Sequence, residues 1–577
     1  MRKIDSPPPG FEAMAGARVF DYGHLELAAA YCRRLGLKEL VDRLVPTQME
    51  LSPGLVVQAM VLDTLSGRSP LYRLESFLAG KDVELLLGED VPPKTFNDTN
   101  LSRSLDAIFN AGTSNILLEL GVNATSQFSL DPSKVSYDTT STSVWGDYIL
   151  CEGDEPAEGP RVAHGHSKDK RPDLKQFMTE LLCVERGVPI FGAVLDGNSS
   201  DKTSNNKLLT RIGRIMKRHG IGIGAFVYIA DSAMATQKNL EAVGDNLFIT
   251  RLPASYAACG KAIAEAVDSG EWTDLGKLAE HAGKAGVRHA AYKAHETTVE
   301  LHDKSYRAVV VHSDNHDKRQ RRKLEKQFAS SREELEAAIK KTGDVYHCEA
   351  DAVEAARMAE KQTSRFHRIE ASVRPFQARR RGRPPKNGPA PTKTKYALEL
   401  EIVEKREAVE RREIMAGCFV LLTNVPWEGE LSMDSAGILM TYKGQYGVER
   451  NFAFLKDPLI VNDIFLKKPH RIDALGMVLV IALLIWRLME RSMRAYVSNS
   501  GNTLPGWNNQ RTDRPTSFMM SQAIRGIQGV LTEDGVRFLL IKPGPRPREF
   551  LQALGLHESA YTDKRSKCTP IIPEKSV

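Results

Sequence analysis

Residues 127–254 and 418–497 have the strand and helix patterns of an α/β core, and they are separated by an interval with a different sequence pattern. The first stretch contains strand patterns such as KVSYDTTSTSVW and VPIFGAVL, an amphipathic helix, and the short apolar strand GAFVYIAD. The interval 255–417 contains a hairpin pattern and highly charged helical patterns. After it, CFVLLTN again has the pattern of a strand. We therefore predict an α/β fold, a mixed sheet flanked by helices, that is interrupted by a large insertion domain.

Both ends of the chain differ from this core in their sequence patterns. Residues 1–126 contain helical patterns separated by turn signals, which predict an α-helical N-terminal domain. The helix–turn–helix spacing there is compatible with a DNA-binding module and equally with a plain structural bundle. Residues 498–577 predict a C-terminal extension that packs on the core and ends in a loose tail.

The composition is that of a folded, soluble protein. With 42% hydrophobic and 26% charged residues, disorder of the whole chain is excluded. Seven scattered cysteines without a Cys-x-x-Cys pair argue against a disulfide framework or a structural zinc site and favour the reducing cytoplasm. The N-terminus lacks the apolar region of a signal peptide. The apolar run at 474–486 is too short to span a bilayer, so it predicts a buried helix and no membrane association.

The basic residues are concentrated locally, although the formal net charge is only +6. Residues 374–386, RPFQARRRGRPPK, include six basic residues and no acidic one. Within this run, Arg381 and Arg383 flank a glycine as in the core of an AT-hook, whose arginines enter the narrow minor groove of A·T tracts. The alternative is a flexible basic linker. Under either interpretation we expect contact with the DNA backbone that weakens with salt.

Two aspartates occupy strand positions in the predicted core. Asp138 lies within the strand pattern SYDTT, and Asp231 ends the apolar strand FVYIAD. A buried ionised aspartate is costly unless it is paired or binds a cation. The alternative for Asp231 is a helix N-cap, and for Asp138 it is ordinary turn hydrogen bonding with the hydroxyl residues that follow.

A third carboxylate lies on a predicted helix in TYKGQYGVERNFAFLK. Tyr442, Gln445, Glu449 and Lys456 are spaced so that a single helix would present all four within a sector of roughly 60°. A carboxylate flanked by a phenol and an ammonium suits a site that binds metal and contacts phosphates. The alternative is a solvated polar stripe opposite the apolar face of the helix.

Together these residues resemble the insertion-sequence transposases of the DDE type. The resemblance is to the branch with a Tyr-x2-Arg-x3-Glu-x6-Lys signature, which reads Tyr442, Gln445, Glu449 and Lys456 in this chain. Gln445 departs from the usual arginine, so the cationic fork that could bind phosphate is missing at that position. Further likeness lies in HGHSKDKRPDLKQF and LDGNSSDKT, and the resemblance extends from about residue 130 to about residue 460.

The resemblance implies an RNase H-like catalytic core with an insertion domain between the second aspartate and the glutamate. Asp138, Asp231 and Glu449 are then the catalytic residues and the ligands of two Mg²⁺ or Mn²⁺ ions. Oxygen ligands suit such hard cations. The implied reactions are cleavage at the insertion-sequence ends and strand transfer into target DNA.

The resemblance also implies partners and DNA contacts. The expected partners are the terminal inverted repeats and the target DNA, bound by a homodimer on paired ends in the cytoplasm, in association with the nucleoid. A repurposed DNA-binding protein without catalysis and a two-metal nuclease without strand transfer are the alternatives. Besides the AT-hook arginines, the expected DNA contacts are Lys168, Arg171, Lys175, Tyr442, Gln445 and Lys456.

Overall fold

The chain divides into two compact units. The computed structural model describes residues 16–67, 73–145, 148, 159–185, 187–278, 290–314, 318–379, 392–457, 466 and 468–573. Unit 1 comprises Met1–Thr250 and Thr441–Val577, and unit 2 comprises Arg251–Met440. The predicted insertion, 255–417, falls within unit 2, and that unit extends further toward the C-terminus than predicted.

The described residues contain both helices and strands, which are mixed along the chain after a run of helices near the N-terminus. The helices are α1 (His24–Leu35), α2 (Leu37–Leu44), α3 (Pro53–Leu65), α4 (Leu74–Ala79), α5 (Val83–Leu87), α6 (Asp98–Ala111), α7 (Thr113–Phe128), α8 (Asp201–Arg218), α9 (Gln237–Val243), α10 (Ala257–Ser269), α11 (Lys318–Ile339), α12 (Glu349–Glu360), α13 (Arg406–Ala416), α14 (Ser435–Lys443), α15 (Tyr446–Leu455), α16 (Pro469–Ser500), α17 (Ser517–Ala523) and α18 (Pro545–Ala553). The strands are β1 (Arg18–Tyr22), β2 (Lys134–Val144), β3 (Lys175–Val184), β4 (Val188–Leu195), β5 (Val227–Ala230), β6 (Leu247–Arg251), β7 (Thr273–Gly276), β8 (Tyr292–Leu301), β9 (Lys304–Ser313), β10 (Val345–Tyr346), β11 (His367–Arg379), β12 (Thr392–Glu404), β13 (Cys418–Thr423), β14 (Leu504–Pro505), β15 (Arg511–Thr512), β16 (Ile527–Leu531) and β17 (Arg537–Ile541).

The N-terminal part of unit 1 is mainly helical, as predicted. Ser52 caps α3 by accepting a hydrogen bond from the Leu55 amide, and Pro53 occupies the first helical position. Every residue of α3 is buried, so this helix has no exposed face with which to read a DNA groove. The prediction of a purely α-helical domain is wrong at its start, because β1 pairs antiparallel with β16 near the C-terminus.

A mixed sheet forms the centre of unit 1. Its strands follow the order β4-β3-β2-β5-β6, in which β2, β3 and β4 form an antiparallel meander. Strands β5 and β6 run parallel to β2. The strand patterns KVSYDTTSTSVW and VPIFGAVL and the short apolar strand within GAFVYIAD are therefore confirmed as strands.

The two faces of this sheet carry different helices. On one face, Tyr137 of β2 donates a hydrogen bond to Glu180 of β3, and Arg211 of α8 forms an ion pair with the same carboxylate. On the other face, Asn451 of α15 contacts the Cys183 thiol at 3.4 Å. Successive side chains of a strand point to opposite faces, and Cys183 pairs with Ser136, two residues before Asp138. The Asp138 side chain therefore belongs to the face that α15 covers.

Helix α16 is the central helix of unit 1. It packs against α1, α3, α6, α7 and β4, and its middle portion is buried without interruption. By length and composition it could cross a membrane, but 89% of its 18-residue apolar stretch is buried inside the protein. The predicted buried helix is confirmed, and it is longer than the 474–486 run indicated because polar residues at both ends continue it.

The C-terminal extension packs on the N-terminal helices. Tyr31 of α1 donates a hydrogen bond to the Leu554 carbonyl at 3.0 Å, and Arg33 donates to the Ser566 carbonyl at 2.7 Å. Cys568 and Tyr561 are buried. The predicted loose tail is therefore wrong for the described residues up to 573, because contacts with α1 hold this segment.

Unit 2 contains its own strands and helices. Four of its strands follow the order β13-β9-β8-β7, and β8 and β9 form the hairpin that the sequence predicts. Strand β13 differs from the prediction, which assigned it to the resumed core. It pairs with β9 from Cys418↔His312 to Thr423↔Arg307, within unit 2. A separate sheet, β10-β12-β11, packs against α11 and α12.

Candidate active site

Asp138 and Asp231 lie side by side at one end of the unit 1 sheet. Strands β2 and β5 pair in parallel from Lys134↔Val227 to Ser136↔Ile229. Continuing the same register by two residues brings Asp138 level with Asp231, which directly follows β5. Neighbouring strands are about 4.8 Å apart, and side chains at paired positions point to the same face. The structure therefore brings these two carboxylates together.

Burial raises the pKa of both aspartates. The pKa of Asp138 is raised to about 6, mainly by burial and further by the negative charge of Asp231, while the Lys168 ammonium opposes the shift. Burial likewise raises the pKa of Asp231. Two partly buried carboxylates at this separation repel each other when both are ionised. Such a pair favours the approach of a cation.

Each aspartate also makes the local hydrogen bond that the alternative interpretation predicts. Asp231 Oδ1 accepts a hydrogen bond from the Ala233 amide at 3.0 Å and so caps a short 3₁₀ turn. Asp138 Oδ1 accepts from the Thr139 amide at 2.7 Å. Each of these bonds occupies one oxygen of its carboxylate. The capping role and a ligand role are therefore compatible for both residues.

Lys168 lies between the acidic side chains of the site. Its Nζ is 3.7 Å from Asp138 Oδ1 and 3.3 Å from Asp201 Oδ1, and it donates to the Thr139 carbonyl at 2.6 Å. The sequence predicts Lys168 as a DNA contact, whereas in the structure its ammonium is directed at protein oxygens. It acts here as an internal counter-charge for the aspartates.

Asp201 is a residue of this site that sequence reasoning missed. It is the first residue of α8, and its carboxylate accepts a hydrogen bond from the Thr139 hydroxyl. Its charge contributes to the raised pKa of both Asp138 and Asp231. In the sequence, the LDGNSSDKT segment that contains Asp201 contributes only to the family likeness, because an acidic residue in the first turn of a helix is ordinary.

The other cations predicted to contact DNA near β3 differ in their partners. Arg171 forms a bidentate pair with Asp173, with N–O distances of 2.9 and 2.6 Å, and its guanidinium lies 5.0 Å above the exposed Trp145 ring. Lys456 forms an ion pair with Asp169 at 2.6 Å. Lys175 begins β3, opposite Val144. DNA would have to compete with an acidic side chain for both Arg171 and Lys456.

The segment that carries Glu449 is two helices and not the single helix that the sequence predicts. Helix α14 ends at Lys443, and α15 begins at Tyr446. The intervening backbone makes bonds of the i to i+3 type, such as the Gln445 amide to the Tyr442 carbonyl at 3.1 Å. Gly444 lies in this turn, where its low helix propensity favours a break. Tyr442 is therefore on a different helix from Glu449.

Helix α15 lies over the face of the sheet that carries Asp138. Gln445 Nε2 donates to the Tyr137 carbonyl at 3.4 Å, directly beside Asp138. Asn451 Nδ2 donates to the Gly187 carbonyl at 2.7 Å. Gln445, which replaces the usual arginine of the signature, is buried and therefore has a packing role against β2.

Glu449 does not join the two aspartates in this structure. Its side chain is exposed at the flank of α15, and it makes no ion pair or hydrogen bond within the described residues. In the part of the chain that the structure describes, no three His, Cys, Asp or Glu side chains converge closely enough to hold a metal ion. The structure thus brings two of the three predicted carboxylates together and carries the third on a helix that covers the same face.

Comparison with known proteins adds one family. Residues 18–122 match the DUF4277 family model, described as a domain of unknown function. No curated protein matches the chain. The DUF4277 region begins with β1 and extends into α7, so it coincides with the helical part of unit 1 and ends before Asp138.

The remaining predicted contacts lie far beyond the DUF4277 region in the sequence. Arg381 and Arg383 fall within residues 380–391, outside the described residues, so the AT-hook interpretation stays a prediction. The segment is nevertheless bounded by two described strands, β11 and β12.

Proposed function

We propose that this chain is a DNA transposase of the DDE type, which cuts DNA at the ends of an insertion sequence and joins the freed 3′-hydroxyl to target DNA. The observation that carries the proposal is the pair Asp138 and Asp231, level with each other on neighbouring parallel strands and partly buried. The mixed sheet flanked by helices supports an RNase H-like core for unit 1.

The donor set fits Mg²⁺ or Mn²⁺, since Asp138, Asp231 and Glu449 offer only hard oxygen ligands. A cation would also relieve the repulsion between the two aspartates. When bound, a pair of such ions supplies activation of the attacking oxygen and stabilisation of the leaving 3′-oxygen.

The side chains around the aspartates have distinct tasks in this proposal. Asp138 and Asp231 are held by backbone amides and so present their remaining oxygens in a fixed direction. Lys168 keeps the acidic cluster compensated before cations and DNA arrive. Glu449 is exposed on the helix that lies over the same face, and the proposal requires its side chain to turn toward the aspartates when cations and DNA are present.

A DNA-binding protein without catalysis is the second candidate. It is favoured by one observation, which is that Glu449 is exposed and without contact to either aspartate in the described residues. That candidate would retain the basic segments and lose the chemistry. The two candidates are distinguished by the products that the protein forms with DNA.

The proposal predicts a joined product in a strand-transfer assay. The full chain is incubated with Mn²⁺, a target plasmid and a pre-cut duplex that carries the terminal inverted repeat flanking its gene. We expect covalent joining of the duplex end to the plasmid, and Glu449→Gln should abolish it because a neutral amide is a much weaker metal ligand than a carboxylate. Glu75→Gln, which neutralises an exposed glutamate on α4 of the same unit, is the matched control and should join normally.

Each other result in this assay counts against the proposal. Cleavage without any joined product would identify a two-metal nuclease. Binding of the duplex with neither cleavage nor joining would favour the second candidate. Full activity of the Glu449→Gln variant would remove Glu449 from the site.

Metal binding should depend on pH because of Asp138. Its pKa is raised to about 6, so protons compete with the cation below that pH, and the ionised ligand is fully available above it. We expect the apparent affinity for Mn²⁺, measured by isothermal titration calorimetry, to rise up to about tenfold per pH unit below about pH 6 and then to level off. An affinity that stays constant from about pH 5 to about pH 7 would contradict this assignment.

A further inference from the structure

Strands β11 and β12 of unit 2 form a long two-stranded ribbon. They pair over thirteen residues each, from His367↔Glu404 to Arg379↔Thr392, which corresponds to a length of about 40 Å. At the base, Ile369, Leu400 and Ile402 pack with residues of α11 and α12. Strand β10 pairs only with Tyr396 and Ala397 of β12. Beyond that point β11 and β12 pair with no other described strand.

Charge is segregated along one face of this ribbon. Paired residues share a face, so Glu370, Glu401 and Glu399 lie together near the base, and Glu370 is directly opposite Glu401. Arg368 lies on the same face and forms an ion pair with Glu370 at 2.7 Å, so the three carboxylates outnumber the one cation there. Farther out, the same face carries a set that we call the ribbon face. The ribbon face consists of Arg374, Phe376, Lys393 and Lys395.

The ribbon face is accessible, and of its three cations Arg374 has an acidic partner while no ion pair involves Lys393 or Lys395 within the described residues. Arg374, Phe376 and Lys393 are exposed, with Phe376 40% exposed, and Lys395 is directly opposite Phe376. Of the nearby acids, Glu399 pairs with Arg374 at 3.2 Å. From residue 371 to residue 398 the sequence contains no acidic residue at all. An exposed aromatic among cations has no evident use in the packing of unit 2.

We propose that the ribbon face docks into the major groove of duplex DNA. This inference rests on the proposed function only in taking DNA as the partner, and it does not require that the protein cleaves or joins DNA. A two-stranded ribbon fits the major groove of B-form DNA, which is about 12 Å wide. Lys393 and Lys395 contact phosphates, and Phe376 makes apolar contact with the groove, for which a thymine methyl group is a suitable partner. The acidic base of the same face repels the phosphate backbone and so restricts docking to the outer half.

Duplex DNA suits this face better than duplex RNA. The major groove of A-form RNA is deep and narrow and does not admit a ribbon. The occupant is therefore B-form DNA, bound by groove and backbone contacts that do not involve the aspartates of unit 1.

The test is a salt titration of DNA binding by the full chain, followed by fluorescence anisotropy in EDTA with a labelled duplex of the terminal repeat. Lys393→Ala combined with Lys395→Ala removes two phosphate contacts, so the slope of log K against log salt should become shallower by about 2. Affinity at moderate salt should fall about tenfold or more. Lys340→Ala combined with Lys341→Ala removes the same charge from exposed positions after α11 and should leave the slope unchanged. Phe376→Ala should weaken binding without a change of slope.

The outcomes separate this proposal from the catalytic one. If the two double variants bind DNA with the same slope and affinity, the ribbon proposal is overturned, whether or not the wild type cuts DNA. If duplex RNA of equal length binds more tightly than DNA, the major-groove proposal is overturned as well. Because cleavage is suppressed in EDTA, a protein that binds through the ribbon but never joins DNA would refute only the proposed function.

Discussion

Replacing Asp138 with asparagine is expected to abolish cleavage and, at the same time, to stabilise the protein at neutral pH without metal. The pKa of this carboxyl is raised to about 6 by burial and by its acidic neighbours. In the unfolded chain it ionises with the pKa of a free aspartate. Above about pH 6 the folded state must therefore hold a charge that it disfavours, at a cost on the order of 3 kcal/mol. Asparagine removes that cost and also removes the carboxylate that would bind a cation under the proposed function.

The sign of this effect depends on pH and on metal. Because the pKa of Asp138 is raised in the folded state, the cost is fully present above about pH 6 and vanishes below the pKa of the unfolded chain. Wild type and Asp138→Asn should therefore have similar free energies of unfolding at about pH 3.5. Saturating Mn²⁺ should reverse the order at pH 7, since it stabilises only the protein that binds it. Urea unfolding in EDTA and in Mn²⁺ measures both differences.

An exposed aspartate provides the control for this experiment. Asp173 is exposed and pairs with Arg171 at the surface, so Asp173→Asn should leave the free energy of unfolding nearly unchanged at either pH. If Asp138→Asn destabilises the metal-free protein at pH 7, then Asp138 is held as a structural ion and the assignment of a repulsive carboxylate pair is wrong.

The strand positions of Asp138 and Asp231 could be predicted because strand patterns are local, whereas the proximity of the two residues was implied only by the family resemblance. An apolar strand that ends in an aspartate, and a strand pattern with an aspartate within it, are visible in YIAD and SYDTT. Strand β4, which precedes α8, runs parallel to β2 because two antiparallel pairings separate them, and a crossover helix normally returns the chain parallel to the strand before it. The burial of α16 is likewise predictable from the sequence, because residues 474–486 form an apolar run.

Other features depend on contacts between residues that are distant in the sequence, and local sequence patterns do not predict such contacts. The pairing of β1 with β16 joins residues near opposite ends of the chain, and nothing in RVFDY indicates that partner. The placement of Lys168 beside Asp201 requires a loop to return to the end of the sheet. The break at Gly444 is a local event, but glycine within a helical pattern is often tolerated, so periodicity alone favoured one helix.

Arg537→Ala is expected to lower the free energy of unfolding by about 3–5 kcal/mol, because it leaves a buried charge without its partner. Arg537 of β17 donates to Asp82 Oδ2 at 2.7 Å and to Asp82 Oδ1 at 2.9 Å, and its Nη2 also donates to Glu84 at 2.8 Å. The side chains of Arg537 and Asp82 are 6% and 1% exposed. Tyr22 donates a further bond to Asp82. The measurement is the urea midpoint of the full chain, with Arg548→Ala as the control.

The control and a second substitution establish that the loss has this cause. Arg548 pairs with Glu558 at the surface, so Arg548→Ala should cost less than about 1 kcal/mol. Adding Asp82→Asn to Arg537→Ala should recover part of the lost stability, because it removes the uncompensated charge and keeps an oxygen for the Leu85 amide. Equal losses for Arg537→Ala and Arg548→Ala would mean that the buried pair does not hold the C-terminal extension on the DUF4277 region. Since Asp82 belongs to that region and Arg537 to the extension, a large loss would instead indicate that the DUF4277 region depends for its stability on residues more than four hundred positions away.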